Sequence, residues 1–130
     1  MLLPWLRKRL RAVPARLGRW GQNQAERYLK RRGCRTLTRN YSFGGGEVDL
    51  IMTDAGGTLV FVEVKTRRSE DFLPAIAAVN QEKKRKILRT AKCFLKQFRI
   101  SGRPLRFDIV TVVLGIKGPP DIQHYPNAFY

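Results

Sequence analysis

The stretch Glu47-Val48-Asp49-Leu50-Ile51-Met52-Thr53-Asp54-Ala55-Gly56-Gly57-Thr58-Leu59-Val60-Phe61-Val62-Glu63-Val64-Lys65 decides the fold. Two runs rich in Val, Ile, Leu and Phe flank Asp54-Ala55-Gly56-Gly57-Thr58, a turn sequence. Strands joined by so short a turn pair as an antiparallel hairpin. With the turn centred on Gly56, facing residues have numbers that sum to 112, so Asp49 faces Glu63 and Glu47 faces Lys65. Facing side chains lie on the same side of a sheet with Cβ atoms roughly 4.5–5.5 Å apart. Strand periodicity puts Glu63 and Lys65 on that side together. Three carboxylates and one ammonium are thus expected on one face. Val48, Leu50, Val60, Val62 and Val64 make an apolar face that packs on a helix. A slip of one residue would drive the charges into the core, so the register is well specified.

Two carboxylates this close repel each other and cost energy to desolvate. A divalent cation resolves the conflict by taking their oxygens as ligands; Mg²⁺ uses one or two carboxylates plus waters and phosphate oxygens. Such an ion polarises a scissile phosphate and acidifies a bound water. Lys65 is placed to orient that water or to stabilise charge in the transition state. The competing reading is a surface salt-bridge ladder in which Lys65 neutralises Glu47 or Glu63. Spacing alone does not separate the two.

Working outward, Gly18 to Arg32 is expected as a helix, with Leu17, Gly21, Ala25, Tyr28 and Leu29 at helical spacing and Gly33 at a left-handed C-terminal cap. Thr36 to Phe43 alternates as a strand. Asn80 caps a second helix, with Glu82 in its first turn and Ile87, Leu88, Ala91, Leu95 and Phe98 as its buried stripe. Phe107 to Leu114 is a nearly continuous apolar run, as in a strand covered on both faces. The order is α-β-β-β-α-β, an α/β fold in which the third and fourth strands are parallel. Residues 1–17 carry basic and no acidic residues and are broken by Pro4 and Pro14; they are expected as a partly disordered basic arm. Residues 18–116 form the domain, and residues 117–130 a proline-containing tail without clear period.

The chain has 130 residues, with 26 Lys and Arg against 10 Asp and Glu, a net charge of +16. That balance implies a polyanionic partner, nucleic acid before membrane. No apolar run approaches the roughly 20 residues of a membrane span. The expected location is the cytoplasm, with Cys34 and Cys93 reduced and structural. His124, the sole histidine, is expected at the surface.

Gly46-Glu47-Val48-Asp49-Leu50-Ile51, Phe61-Val62-Glu63-Val64-Lys65-Thr66-Arg67 and Arg106-Phe107-Asp108-Ile109-Val110 together resemble the YraN-like family of small bacterial proteins predicted to be endonucleases, in the PD-(D/E)XK nuclease superfamily. The resemblance spans roughly residues 18–114. It implies a restriction endonuclease-like core, a mixed sheet flanked by helices. It implies Asp49 and Glu63 as ligands of Mg²⁺ or Mn²⁺ and Lys65 as the catalytic lysine. It also implies a supporting group at Gln81 or, fitting better, Lys83. Arg39-Asn40 matches a family dipeptide of unassigned role. The family carries Gly-Glu where this chain has Gly21-Gln22, and neutral Gln22 can offer only an amide oxygen. Glu26, one turn later on nearly the same face, either reaches the site or is a solvated charge.

From Lys83 to Arg106 there are ten basic residues and no acidic one. With Arg39 and Arg67, Lys84 and Lys86 are expected to contact a phosphate backbone, giving steeply salt-dependent binding. No groove-reading pattern is present, so structure rather than sequence is the expected determinant. The leading expectation is therefore a structure-selective, metal-dependent endodeoxyribonuclease, acting as a homodimer if it follows the resolvase-like relatives. The alternatives are a non-catalytic nucleic-acid-binding module on a nuclease scaffold and a basic protein of RNA or ribosome assembly.

Overall fold

A computed structural model describes residues 3–69 and 79–129 of the chain. Its elements run α1 (Pro4–Ala12), α2 (Pro14–Arg31), β1 (Arg35–Phe43), β2 (Gly46–Thr53), β3 (Leu59–Arg67), α3 (Gln81–Gln97), β4 (Leu105–Val113) and β5 (Asp121–Tyr125). The five strands form one sheet in the order β1-β2-β3-β4-β5. β3 and β4 are parallel, as expected of strands with a helix between them, and the other pairs are antiparallel. From α2 to β4 the order is the α-β-β-β-α-β read from the sequence.

The sheet is covered on both faces. Ala25 and Leu29 of α2 bury Leu50, Met52, Val60, Val62, Val110 and Val112. Ile87, Ala91 and Phe94 of α3 bury Val48, Ile51, Leu59, Phe61, Phe107 and Ile109 on the other face. Burial on both sides explains why β3 and β4 read as continuous apolar runs. α2 ends in a Schellman motif: Gly33, at φ +96°, lets its own N–H reach the Lys30 carbonyl and the Cys34 N–H reach that of Leu29. Asn80 caps α3 by accepting from the Lys83 N–H.

Residues 4–17 are not a disordered arm. Pro4 and Pro14 each occupy the first turn of a helix, where the missing N–H costs nothing and the fixed φ is favourable. Leu10 and Leu17 close on Leu114. Arg7 is buried, and its guanidinium donates to the carbonyls of Leu114 (2.6 Å), Gly115 (3.0 Å) and Gly118 (2.5 Å). Prolines that read as breaks are therefore helix starts. Arg7→Ala leaves these carbonyls without their charged donor and is expected to cost about 3 kcal/mol, measured by urea unfolding.

The tail is likewise not featureless. Asp121–Tyr125 adds to β4 as an edge strand, turning Ile122 inward onto the α2-side core. His124 is no surface residue: its ring is 9% exposed, and Nε2 lies 2.7 Å from Oδ2 of the fully buried Asp108. Arg106 donates from Nε (2.9 Å) and a terminal nitrogen (3.0 Å) to the same carboxylate, and the Asn127 N–H completes it at 2.9 Å. Burial alone would raise the Asp108 pKa. The bonds from His124, Arg106 and Asn127 outweigh it and hold the group below its usual 3.8. A depressed carboxylate stabilises the fold above its unfolded pKa, and that contribution fades as pH falls from about 3.8 through the folded value. Asp108→Asn should lower stability at pH 7 and flatten the acid limb of a stability–pH curve below about pH 4.

One irregularity shapes the site. Leu50 and Met52 face α2 and Ile51 faces α3, as a period of two requires, yet Val48 lies on the α3 side. Val48 was expected on the face of Leu50. The cross-strand neighbours change sides in the same way. Arg39, opposite Leu50, binds Glu26 of α2, and Tyr41, opposite Val48, packs edge-on against Phe94 of α3. Between them, Asn40 takes φ +53°, a left-handed conformation that asparagine tolerates better than most residues. The faces of β1 and β2 thus exchange at Asn40 and Asp49.

Candidate metal centre

The β2–β3 ladder runs from Thr53–Leu59 to Leu50–Val62, the register read from the turn at Gly56. It stops one pair short of Asp49 and Glu63. There the Asp49 side chain takes over from the main chain: its Oδ2 accepts the Val64 N–H at 2.7 Å. This bond pins one Asp49 oxygen, and the Asp49 carboxylate is also within hydrogen-bonding reach of Glu63.

Glu63 is 4% exposed, and its Oε2 is buried without a hydrogen-bond partner. Lys83, from the first turn of α3, brings its Nζ within 3.9 Å of that oxygen, a distance of charge attraction too long for a hydrogen bond. Burial pushes the Glu63 carboxyl up to about 9. The hydrogen bond and negative charge of Asp49 add to the rise, while Lys83 and Lys65 oppose it. Lys65 is half-buried, and its pKa is lowered by burial and by the charges of Arg67 and Lys83, against the pull of Glu63 and Asp49.

The structure brings Asp49, Glu63, Lys65 and Lys83 together. Two cavities meet there. A chamber of about 280 Å³ on the α3 side is lined by Gly46, Glu63, Lys83 and Ile87. A cleft of about 780 Å³ opens on the α2 side, past Lys65 and Arg67. Glu47 and Asp49 line both. At Gly46 a Cβ would meet Thr90 Oγ1 at 2.2 Å and the Lys86 carbonyl oxygen at 3.2 Å, so a larger residue there must shift α3 or the Thr90 side chain.

Other expected site residues are placed differently. Glu47 is outside the β2–β3 ladder and does not face Lys65; it is exposed, and its Oε1 accepts from Asn40 at 2.9 Å. Gln22 lines the cleft but is locked to Asn40 by a reciprocal pair of side-chain hydrogen bonds, of 3.0 and 3.1 Å. Glu26 neither enters the site nor is solvated. It is 6% exposed and held by Thr36, by Arg39 (2.7 Å) and by Lys30 (3.6 Å). Its burial is outweighed by the bonds from Arg39 and Thr36, which lower its pKa. Arg39 is correspondingly committed to Glu26, although half of its side chain faces solvent. Lys84 lies over the Phe129 ring at 5.7 Å, and Lys86 pairs with Glu82 at 3.5 Å. The residue whose role the sequence left unassigned is Asn40, which bonds both Gln22 and Glu47. Its signal, a polar residue in the middle of an alternating strand, was present without a role.

The donor set is small. Among the described residues no group of three or more His, Cys, Asp and Glu converges as metal ligands. What converges is a pair of carboxylates with one orphaned buried oxygen. That set suits a hard cation that keeps several waters, Mg²⁺ or Mn²⁺, and not the four protein ligands of structural zinc.

Fold and site define a small basic α/β protein with two acids and a lysine at the end of a mixed sheet. The chain belongs to the uncharacterised protein family UPF0102, whose model matches residues 21–112. It is 42% identical to a UPF0102 protein of Solibacter usitatus over 95% of this chain and 92% of that protein. With a UPF0102 protein of Trichlorobacter lovleyi the identity is 41%, over 87% of this chain and 89% of the other. Among solved structures, Pyrococcus furiosus SfsA in complex with Ca²⁺ aligns at 13% identity with a TM-score of 0.31, covering 78% of this chain and 58% of that one. Among the described residues no helix is long and apolar enough to cross a membrane.

Proposed function

We propose that this protein is a metal-dependent endonuclease that hydrolyses phosphodiester bonds in DNA, selecting structure over sequence. The observation that carries the reading is the buried, unpartnered Oε2 of Glu63 beside Asp49. A fold does not keep such an oxygen without cause, since an unsatisfied buried acceptor costs about 1–3 kcal/mol. A cation held by Glu63 and Asp49 supplies the missing partner and screens the two acids. When bound, Mg²⁺ or Mn²⁺ would polarise the phosphate and acidify a water. Lys65 holds a proton and a positive charge beside the acids, placed to steady a phosphate oxygen as negative charge builds on it. Lys83, whose Nζ stands 3.9 Å from the same Oε2, gives way when the cation binds. The resemblance read from the sequence implies the same roles for Asp49, Glu63 and Lys65.

Linear, single-stranded, flap and four-way DNA incubated with Mn²⁺ or Mg²⁺ test this reading. Cleavage of at least one form, lost in EDTA, is expected; no cleavage of any form with either metal overturns it. A second reading, a binding module that has lost catalysis, draws support from Gln22. That side chain stands where the family carries glutamate and is bonded to Asn40, not to the acids. It predicts salt-sensitive DNA binding with no turnover.

A further inference from the structure

The turn that joins β1 to β2 carries Gly44 and Gly45 at φ +58° and +82°, the type I′ pattern that matches the twist of a hairpin. Phe43 and Gly46 close it as partners across the ladder. Gly46 lies against Lys86 and Thr90, so the turn is braced on α3. Gly45, Gly46 and Glu47 line the smaller chamber, where Asp49, Glu63 and Lys83 meet. Strand alternation puts Phe43 on the α3 face of β1 together with Tyr41. Tyr41 packs on Phe94, but Phe43, opposite a residue without a side chain, is 56% exposed. Resting on the nuclease reading above, we propose that nucleic acid docks along α3, with its backbone on Arg85, Arg89, Lys92 and Lys96 and a base that has left the helical stack against the ring of Phe43.

The backbone contact follows from charge and spacing. The four basic residues succeed one another at intervals of four, three and four. They therefore fall within about 60° of each other around the helix and extend for roughly 16 Å along it. All four are exposed, and among the described residues none has an acidic partner at salt-bridge distance. Lys84 and Lys86, by contrast, are engaged by Phe129 and Glu82. An uncompensated cationic stripe of this length complements a polyanion whose charges recur every few ångströms. The stripe begins just past Lys83, so a backbone lying on it reaches the chamber and the acid pair.

The base contact follows from Phe43. Phosphate contacts alone do not tell an open structure from a continuous duplex, since both present the same backbone. An aromatic ring does, because it gains by stacking on the face of a base, and a continuous duplex keeps those faces against neighbouring pairs. Exposed apolar side chains occur singly on most proteins. Phe43 differs in its place: it stands at a braced turn beside the acids, on the face that carries the cationic stripe. Stacking there holds an open base next to the phosphate at the chamber. Every base offers a π face, so the contact selects structure and not sequence.

Fluorescence anisotropy of the full chain in EDTA tests both contacts. One probe is a labelled duplex with a thymidine flap; the other has abasic residues throughout the flap and the same phosphates. The thymidine probe should bind about 10-fold tighter, the scale of one stacked base. Phe43→Ala should bind both probes as wild type binds the abasic one, and Phe43→Trp should keep the preference. R85Q/R89Q/K92Q/K96Q should weaken both probes by about 10-fold or more and retain the preference between them. It should also flatten the log–log salt slope by about 3, near 0.9 for each lost duplex contact. The unchanged abasic affinity of Phe43→Ala and the retained preference of the glutamine variant separate these losses from unfolding. Equal binding of the two probes by wild type, or a Phe43→Ala loss as large on the abasic probe as on the thymidine one, overturns the base contact. A salt slope changed by less than about 1 in the glutamine variant overturns the α3 track, and absence of binding to either probe overturns both. Binding as described without metal-dependent cleavage leaves the docking surface standing and removes the nuclease reading.

Discussion

Glu63→Gln is expected to abolish metal-dependent cleavage and, in the same protein, to raise the melting temperature in EDTA at pH 8. The two effects have one origin. The Glu63 carboxyl is buried against Asp49, which pushes its pKa to about 9 from an ordinary 4.5. Between these values the folded protein keeps a proton that the unfolded chain releases. Stability therefore falls as pH rises across that window and levels off above about 9. An amide removes the titration, and with it the cost of holding that proton, and can still donate to Asp49. Each kcal/mol recovered shifts the midpoint by roughly 3–6 °C in a chain of this size, so a rise of at least about 4 °C is expected at pH 8 and little change at pH 4. Cleavage should drop by about 100-fold or more, the scale of losing a major charge-stabilising group. Metal binding should displace the proton from Glu63, so Mn²⁺ should raise the wild-type midpoint more as pH increases. The variant should show no such metal-dependent rise. Lys65→Ala makes a useful contrast: comparable loss of cleavage without the gain in EDTA. A Glu63→Gln protein that is less stable than wild type at pH 8 contradicts this account of the pair.

The second large effect is expected at Gly21, which holds the cleft together. A Cβ on Gly21 would stand 1.9 Å from Thr66 Oγ1, 2.6 Å from its Cγ2 and 2.8 Å from its Cβ. Thr66 is β-branched and sits in β3, so it cannot swing clear as the end of a long side chain could. Gly21→Ala must push α2 away from β3, costing about 1–3 kcal/mol despite alanine's better helix propensity. It should also widen the cleft between Gln22 and Lys65 and reduce cleavage. Thr66→Ala removes the two closest atoms. The double variant should therefore be less destabilised than the sum of the single ones, by about 0.5–2 kcal/mol in a cycle of urea denaturations. Strict additivity would show that the two residues do not press on each other.

The hairpin was legible because its information is local. The turn at Gly56 fixed the register, and the apolar partners of β2 and β3 left no other. Asp49, Glu63 and Lys65 could be brought together on paper for that reason. The reversal at Asn40 was not legible, since a single left-handed residue exchanges the faces of two strands without disturbing their pairing. It moves Val48 to the α3 side and leaves Glu47 facing Asn40 and the cleft in place of Lys65. Glu26 was ambiguous for a different reason. Its partners, Thr36 and Arg39, lie on a strand whose position against α2 is a tertiary fact. β5 escaped notice because its inward residues are Ile122 and His124, and a histidine whose partner is a buried aspartate breaks the apolar alternation by which strands are found. Gly21 was visible as a helical position, but why it must be glycine emerges only with Thr66 opposite it.

Everything functional here depends on a cation occupying the gap between Asp49 and Glu63. Crystals soaked in Mn²⁺ and measured at a wavelength where manganese scatters anomalously address that occupancy directly. The expected result is one strong peak about 2.0–2.2 Å from an oxygen of each carboxylate, with open positions filled by water and Lys83 displaced from Glu63. A map with no peak there, with the Lys83 ammonium still resting on Glu63, would contradict the account.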